Sequence, residues 1–414
     1  MPSATSKWLS LEDALQHTLA LTHTVDESET IPLSEALMRI AANDVIAPVN
    51  VPPWTNSAMD GYAVCVSDLT HNDMLPVSTT VLAGTQDIVS LPPGTAARIM
   101  TGAPLPKGAD TVIMQENAIT GEHGVKFTDV PSKGENTRAR GNDITKGDCI
   151  LTKGTRLSPA HLMLLASQGI TTVSVYRKIK VGLMATGDEL CQPGHPLQAG
   201  QIYESNSTGI SALLAELGVE IIHYGIVKDD IDTLTRTITE ASSQTDLLLT
   251  TGGVSVGDAD HVKPVIDTLG TVDFWKVAIK PGKPFAFGRV GNMVFCGVPG
   301  NPVSAYVTTQ MLVTPVIERL QGLGQTTSPL RIQARLTTSL KRRPGRTDFQ
   351  RAIMFAQDGQ WRVTPLPNQS SGVMSSVTQA NCYLELPAEQ SCFDAEQWVT
   401  VIPFALRINL ENTQ

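Results

Sequence analysis

The chain has 414 residues, of which 41% are hydrophobic and 17% charged, and its formal net charge is −9. At about 100 to 200 residues per domain, this length predicts two to four domains with cores of ordinary size. The negative charge argues against a general binder of nucleic acid or anionic membranes, because phosphate-rich surfaces are bound by clustered Lys and Arg. The sequence shows no signal peptide and no run of about 18 apolar residues, so we expect a cytoplasmic protein without membrane spans.

The beginning of the chain mixes helical and extended patterns. Ser10 precedes a stretch with apolar residues at helical spacing, which predicts a capped helix. A second short helix is predicted for residues 34–40. Helical spacing returns after Ser158, where Pro159 stands at the position expected for the first residue of a helix. These patterns predict a mixed α/β domain.

The segment between these helical parts has a sequence pattern typical of β structure. From about residue 51 to residue 148 helical periodicity is lost, and β-branched runs such as Val77–Val81 and Thr111–Met114 alternate with Gly and Pro. Such punctuation is typical of short strands joined by turns. We therefore predict an all-β domain that is inserted into the mixed domain.

Strand and helix patterns alternate regularly from Lys178 onward. This alternation predicts a doubly wound parallel sheet, in which ligands bind beyond the carboxyl ends of the strands. One intervening segment has apolar residues at helical spacing, with Gly218 where the helix should end. The four strands are predicted at residues 180–185, 220–224, 246–250 and 292–296.

Strand patterns dominate again after about Gly324 and predict a small terminal β domain. Its strands are predicted at residues 331–337, 360–365, 382–386 and 398–403. No low-complexity segment and no repeat of fixed period interrupts these parts.

The loop after the third predicted strand, residues 250–260, is rich in glycine and aspartate. Glycines allow backbone N–H groups to approach a phosphate closely, and carboxylates such as those of Asp258 and Asp260 are ligands that Mg²⁺ prefers. A tight strand-to-helix turn with an Asp cap explains the same residues. The loop alone leaves both interpretations open.

Loops after the other predicted strands carry similar chemistry. Asp188 and Glu189, after the first strand, suit a metal, ribose hydroxyls or a solvated turn. After the second strand, Asp230 is suited to cap the next helix, which leaves Asp229 without a local role. After the fourth strand, Pro302 stands at a first helical position, which suits an anion at the helix start or simply a rigid turn.

Three lysines lie close together between the third and fourth predicted strands: Lys276, Lys280 and Lys283. Intervening Pro and Gly residues keep them off a helix, and a lysine ammonium suits an oxyanion. A solvated hairpin is the alternative. Acidic, glycine-rich and basic loops at one end of a sheet together predict a nucleotide-type site for phosphate and Mg²⁺.

Several loops, taken together, resemble those of the molybdopterin molybdenumtransferases of the MoeA type, a family related to the C-terminal domain of gephyrin. The segments that carry the resemblance are NSAMDGYA (56–63), RIMTGAP (98–104), TGGVSVGD (251–258), KPGKP (280–284), GVPGNPVS (297–304) and PGRTDFQR (344–351). They follow the family's order and span nearly the whole chain.

The resemblance implies a multidomain α/β fold in an elongated homodimer. Its parts would be a mixed domain I (7–50 with 145–177), an inserted all-β domain II (51–144), a doubly wound molybdopterin-binding domain III (178–326) and a C-terminal β domain IV (327–408). It further implies a Mg²⁺-dependent reaction of adenylylated molybdopterin with molybdate, which gives molybdenum cofactor and AMP. A molybdopterin adenylyltransferase is an implied partner.

Matching positions also imply roles for individual residues. Catalytic roles fall to Asp60, Thr101, Asp143, Glu189, Asp229, Asp260, Lys276 and Lys280. Metal binding falls to Asp188, Glu189, Asp229 and Asp260. Substrate binding falls to Arg138, Gly252, Gly253, Ser255, Gly257, Lys283, Pro299, Gly300, Asn301, Pro302 and Ser371. The active site would be shared, with the β-domain residues of one subunit facing the doubly wound domain of the other.

The sequence departs from the family pattern at a few positions. Thr137 stands where the family usually has an apolar residue, Asn142 stands where it has Glu, and the segment around Ser371 replaces a usual Gln-Gly-Ser-x. Two alternative functions share some features. A molybdopterin adenylyltransferase has the doubly wound domain but lacks the inserted and terminal domains, and a gephyrin-like scaffold does not require acidic residues in every loop.

Overall fold

The structure, a computed structural model, describes residues 8–69, 74–254 and 261–405. Its elements form a mixed N-terminal region, a β insertion, a seven-stranded sheet flanked by helices and a terminal β barrel. Within the described ranges, no helix is both long and apolar enough to cross a membrane.

The N-terminal region contains β1 (Trp8–Leu9), α1 (Leu11–Ala20), β2 (Ser28–Pro32), a 3₁₀ turn (Leu33–Glu35) and β3 (Val45–Ile46). The Ser10 hydroxyl caps α1 by accepting a hydrogen bond from the Asp13 N–H at 3.0 Å, as predicted. The helix predicted for residues 34–40 is wrong, because only the 3₁₀ turn forms. Met38 has a φ of 64°, and its N–H donates to the Leu157 carbonyl at 2.8 Å instead of to a helical turn.

The insertion is built from short strands, as predicted. They are β4 (Asn56–Ser57), β5 (Gly61–Val64), β6 (Val77–Val81), β7 (Ala96–Ile99), β8 (Thr111–Met114), β9 (Ala118–Gly121), β10 (Gly124–Phe127) and β11 (Thr137–Arg138). Four of them form a sheet in the order β6-β7-β5-β8, β9 and β10 form a hairpin, and β11 pairs with β4. Two small apolar clusters bury the inward side chains of this sheet.

The chain then returns to the mixed region with β12 (Cys149–Leu151), α2 (Pro159–Ser167) and β13 (Thr172–Tyr176). β12 pairs with β3, and β13 pairs with β2, so strands on either side of the insertion hold each other. Ser158 caps α2 and Pro159 occupies its first turn, as predicted. The insertion thus leaves and rejoins one small domain.

The central region contains nine further strands and three helices among the described residues. They are β14 (Lys180–Thr186), β15 (Leu190–Cys191), β16 (Ile202–Tyr203), α3 (Asn206–Glu216), β17 (Glu220–Val227), α4 (Ile231–Gln244), β18 (Leu247–Thr251), α5 (Val262–Leu269), β19 (Thr271–Val277), β20 (Ile279–Lys280), β21 (Pro284–Val290) and β22 (Met293–Val298). The four predicted strands correspond to β14, β17, β18 and β22, and Gly218 lies just beyond α3 with a φ of 71°. These four strands belong to the seven-stranded sheet, and apolar clusters cover both faces of that sheet.

The strand order of this sheet is β1-β19-β21-β22-β18-β14-β17. The prediction of a parallel sheet holds for β22, β18, β14 and β17, whereas β21 runs antiparallel to both of its neighbours. The reason is the short connection between β19 and β21. A parallel crossover needs about a dozen residues or more, so this connection closes a hairpin instead.

A continuous helical run follows the sheet: α6 (Pro302–Thr308), a π-helical turn (Thr309–Val313) and α7 (Thr314–Leu320). Its apolar side chains join α1, one face of the sheet and the terminal barrel in one core. Glu318 of α7 is 1% exposed, and its carboxylate accepts hydrogen bonds from Arg156 at 3.2 Å and from the Thr327 N–H at 2.8 Å. The run therefore ties the mixed region to the centre of the molecule.

The terminal region contains β23 (Ile332–Leu336), β24 (Leu340–Lys341), β25 (Thr347–Gln357), β26 (Gln360–Pro365), α8 (Ser375–Gln379), β27 (Cys382–Leu386), β28 (Cys392–Phe393) and β29 (Trp398–Pro403). The four predicted strands are confirmed, with β23 slightly shorter than expected. The sheet order is β20-β25-β26-β23-β29-β27, and an additional pairing of β25 with β27 closes it into a barrel. β25 was not predicted, because Asp348 and Arg351 interrupt its apolar alternation although both are buried.

Candidate functional site

A cleft of about 1000 Å³ opens where β14, β17, β18, β19 and β22 end. These strands point their carboxyl ends toward the same edge of the sheet, which is where ligands bind in such folds. The terminal barrel supplies the remaining wall. Predicted site residues in the lining are Glu189, Asp229, Gly252, Gly253, Lys280, Lys283, Pro299, Gly300, Asn301, Pro302 and Ser371.

The turn after β18 brings bare backbone to the cleft. Gly252 and Gly253 have φ values of 84° and 67°, in the left-handed region that favours glycine. A β-carbon on Gly252 would lie 2.6 Å from the Thr186 carbonyl oxygen, and one on Gly253 would overlap Val262. No other residue type fits this turn without displacing its neighbours. Ser255, Gly257, Asp258 and Asp260, predicted in the same loop, lie outside the described residues.

Two adjacent aspartates after β17 have different environments. Asp230 caps α4 by accepting a hydrogen bond from the Thr233 N–H at 2.8 Å, and this bond lowers the pKa of the Asp230 carboxyl. Asp229 lines the cleft instead, and among the described residues its carboxylate accepts a long hydrogen bond, 3.4 Å, from the His261 N–H. The prediction that Asp230 serves the helix is confirmed. Asp229 does not cap the helix, and its metal-binding role remains a prediction.

The carboxylates of the cleft suit a hard cation. Glu189 and Asp229 line it, whereas Asp188 is exposed and is not in the lining. Within the described ranges, no group of three or more His, Cys, Asp or Glu side chains could hold a metal ion. Mg²⁺ in proteins is commonly bound by one or two carboxylates together with substrate phosphates. A pair of carboxylates in a cleft therefore fits Mg²⁺ that arrives with a phosphate.

Part of the cleft lining is cationic. The Lys280 ammonium lies 3.2 Å from the carboxylate of Asp348, a β25 residue whose side chain is 3% exposed. Lys283 and Arg346 also line the cleft, whereas Lys276 lies within β19 and is not in the lining. Lys280 and Arg346 also border an adjoining pocket of about 290 Å³ that contains Lys341, Arg342 and Arg343. This cationic part of the lining suits an oxyanion.

The start of the helical run is held from two directions. The Asn206 side chain of α3 donates a hydrogen bond to the Gly300 carbonyl at 2.8 Å. The Val303 N–H donates to the Ser371 carbonyl at 3.1 Å, which fixes the terminal barrel against α6. Pro302 occupies the first turn of α6, as predicted. Ser371 is placed in the cleft by this contact.

Arg351 of β25 holds the barrel segment that reaches the cleft. Its side chain is fully buried and donates to the Ser370 carbonyl at 3.2 Å and to the Ser376 hydroxyl at 3.0 Å. Burial lowers the pKa of its guanidinium. Gln369 exchanges two 2.9 Å hydrogen bonds with the Arg351 backbone.

Sequence reasoning missed several lining residues: Thr186, Asn206, Thr251, Arg346, Gln369 and Ser370. Arg346 and Thr251 lie within the quoted segments PGRTDFQR and TGGVSVGD, and those positions were the available signal.

The predicted residues of the β insertion lie outside the cleft within one chain. Arg138 and Asp143 are exposed, and neither belongs to the cleft lining. Asp60 accepts hydrogen bonds from the Thr101 N–H at 2.7 Å and from the Thr101 hydroxyl at 2.8 Å. These bonds lower the pKa of the Asp60 carboxyl. Asp60 and Thr101 therefore form one hydrogen-bonded unit, and the catalytic roles predicted for them remain predictions.

Replacing Thr101 by valine is expected to raise the pKa of Asp60 toward its ordinary value, because the hydroxyl bond stabilises only the ionised carboxylate. Carboxyl-carbon NMR over a pH titration measures this shift. Asp230 is the internal control, because its pKa is lowered by Thr233 and should not change. An Asp60 titration that is the same in both proteins would contradict the prediction.

Comparisons with known proteins decide the family. Residues 9–169 match the MoeA N-terminal region (domain I and II), residues 182–319 a probable molybdopterin binding domain, and residues 333–404 the MoeA C-terminal region (domain IV). The molybdopterin molybdenumtransferase of Haemophilus influenzae is 44% identical over 398 residues, 96% of this chain and 98% of that protein. The chain belongs to the molybdopterin molybdenumtransferase family.

Other members of the molybdopterin molybdenumtransferase family agree with this assignment. The Bacillus subtilis member is 35% identical over 386 residues, 91% of this chain and 90% of its own. A crystal structure of the molybdopterin biosynthesis protein moeA from Pyrococcus horikoshii OT3 superimposes with a TM-score of 0.83 at 27% identity, covering 96% of this chain and all of that one. The similarity extends over all regions of the fold.

Proposed function

This chain is a transferase of molybdenum cofactor biosynthesis, and we propose that it transfers molybdenum from molybdate to molybdopterin. The observation that carries the proposal is the composition of one cleft. Lys280, Lys283 and Arg346 line it and supply the cations that an oxyanion needs, and Glu189 and Asp229 supply carboxylates in the same lining. Relatives at 44% and 35% identity over nearly their full length are named molybdopterin molybdenumtransferases.

The proposed acceptor is adenylylated molybdopterin, so that AMP is the second product. Molybdate and a phosphate anhydride are both anions, and bringing them together is costly unless the site neutralises their charge. The lysines and Arg346 would meet the oxyanion, while the glycine turn at Gly252 and Gly253 lets backbone approach a phosphate closely.

Mg²⁺ is the proposed cofactor. Glu189 and Asp229 would hold it, because two carboxylate residues in one cleft lining suit a hard cation that also binds phosphate. When bound, the ion would neutralise phosphate charge. Asp260 lies in the same loop as the glycine turn and remains a proposed third carboxylate.

A homodimer with a shared site is proposed because Asp60, Thr101, Arg138 and Asp143 lie outside the cleft of their own chain. A second copy could present them to it. A molybdopterin adenylyltransferase, as the enzyme that would make the acceptor, is the proposed partner.

AMP release from adenylylated molybdopterin, with molybdate and Mg²⁺ each added or withheld, tests the proposal. We expect release to require both, and we expect Asp229→Asn to lower it by about 100-fold, the scale of losing one electrostatic contact in a site. The matched control is Asp230→Asn, since asparagine also caps helices well and this variant should keep wild-type activity. Wild-type turnover in Asp229→Asn would refute the metal site, and ATP consumption without molybdate would indicate an adenylyltransferase instead.

A further inference from the structure

Residues 278–283, which connect β19 to β21, form a turn with two lysines, called here the lysine turn. These lysines, Lys280 and Lys283, have different partners. Lys280 is paired with the buried carboxylate of Asp348. Lys283 has no acidic partner among the described residues, and its ammonium lies 5.3 Å from the centre of the Trp8 ring. An ammonium within about 6 Å of an aromatic ring face is attracted by the quadrupole of the ring. The aromatic contact orients Lys283, and no ion pair with a described residue offsets its positive charge.

Backbone contacts fix Trp8 relative to this turn. In β1, Trp8 stands opposite Lys276 and Leu9 stands opposite Val277. The Ala278 N–H donates to the Leu9 carbonyl at 2.7 Å, and the Val277 N–H donates to the Lys283 carbonyl at 2.9 Å. The two ends of the lysine turn are therefore bound to each other and to β1. Leu9 faces the core, so Trp8 points the opposite way, toward Lys283.

We propose that Trp8 is a positioning residue for the oxyanion substrate. Its indole holds the Lys283 ammonium at the cleft while leaving the full charge available to the anion. A carboxylate at the same place would orient the lysine but would weaken its attraction for molybdate. The proposal rests on the function proposed above for Lys283.

Trp8→Leu tests the proposal, because leucine keeps an apolar strand residue and removes the ring. We expect the KM for molybdate to rise about two- to fivefold, the scale of an exposed cation–π contact, with kcat and thermal stability little changed. Trp8→Phe should fall between wild type and Trp8→Leu, since phenylalanine keeps a weaker ring. Trp398→Leu is a matched control, because Trp398 is also 47% exposed and also lies under a cation, Arg335, but on the terminal barrel.

A double-mutant cycle with Lys283→Met separates positioning from general strand effects. We expect Lys283→Met to weaken molybdate binding, measured by calorimetry, and Trp8→Leu to have no further effect in that background. Equal effects of Trp8→Leu with and without Lys283 would overturn the inference, as would an unchanged KM in Trp8→Leu. If Lys283→Met itself left molybdate binding unchanged, the role proposed for Lys283 would fail, and the inference with it.

Discussion

Lys280→Met is expected to lower the rate of molybdenum transfer by about 100- to 1000-fold. This is the usual effect of removing one preorganised group that stabilises negative charge in an active site. The loss has two causes in this cleft. The variant removes a cation from the lining, and it leaves the buried Asp348 carboxylate next to the cleft without its ammonium partner. AMP release as a function of molybdate concentration measures the effect.

The double variant Lys280→Met with Asp348→Asn distinguishes these causes. In the wild-type protein the Gln350 side-chain amide donates a hydrogen bond to the Asp348 carboxylate at 3.1 Å. The side-chain oxygen of an asparagine at position 348 can accept the same bond. We expect the double variant to recover stability, because no unpaired carboxylate remains buried, and to recover only part of the activity. Full recovery would show that Lys280 merely neutralises Asp348 and does not contact the substrate.

Gly252→Ala is expected to lower transfer by about 100-fold, since displacements on the order of 1 Å in a site can cost that much. The added β-carbon would lie 2.6 Å from the Thr186 carbonyl oxygen, which is backbone and cannot rotate away. The turn must therefore move relative to β14. Activity assays together with thermal unfolding measure the change.

The control for backbone strain is Gly218→Ala. Gly218 has a φ of 71°, similar to the 84° of Gly252, but a β-carbon there would meet nothing within 4 Å. Both variants should lose about 1–2 kcal/mol of stability to the left-handed conformation, and only Gly252→Ala should lose activity. Equal activity in the two variants would show that the glycine turn does not need its close approach to Thr186.

Much of the fold was predictable because its signals are local. Ser10, Ser158 and Asp230 cap their helices by accepting hydrogen bonds from N–H groups three residues further along the chain. The parallel strands β14, β18 and β22 consist mostly of buried residues. The glycine turn and the lysines were found for the same reason. The domain boundaries and the Mg²⁺ site remain predictions.

The missed features depend on partners far away in the chain. The sequence of β25 is not typical of a buried strand, because it contains Arg351. Arg351 can be buried because it donates hydrogen bonds to Ser370 and Ser376, and the local sequence of the strand does not indicate these acceptors. Ser371 and Arg346 reach the cleft only because the barrel packs against α6. The helix predicted at residues 34–40 failed for a similar reason, since Leu157 supplies a competing carbonyl.

The two-residue strand β20 lies in the connection between β19 and β21 of the central sheet. It does not pair with that sheet but with β25 of the barrel. Ile279 and Lys280 stand opposite Thr347 and Asp348 of β25, and the Thr347 N–H donates to the Ala278 carbonyl at 2.8 Å. Lys280 is thus held by a backbone ladder as well as by its ion pair. Any displacement of the barrel relative to the sheet must therefore either carry Lys280 with it or break this ladder, so the position of Lys280 in the cleft depends on the barrel as well as on the sheet.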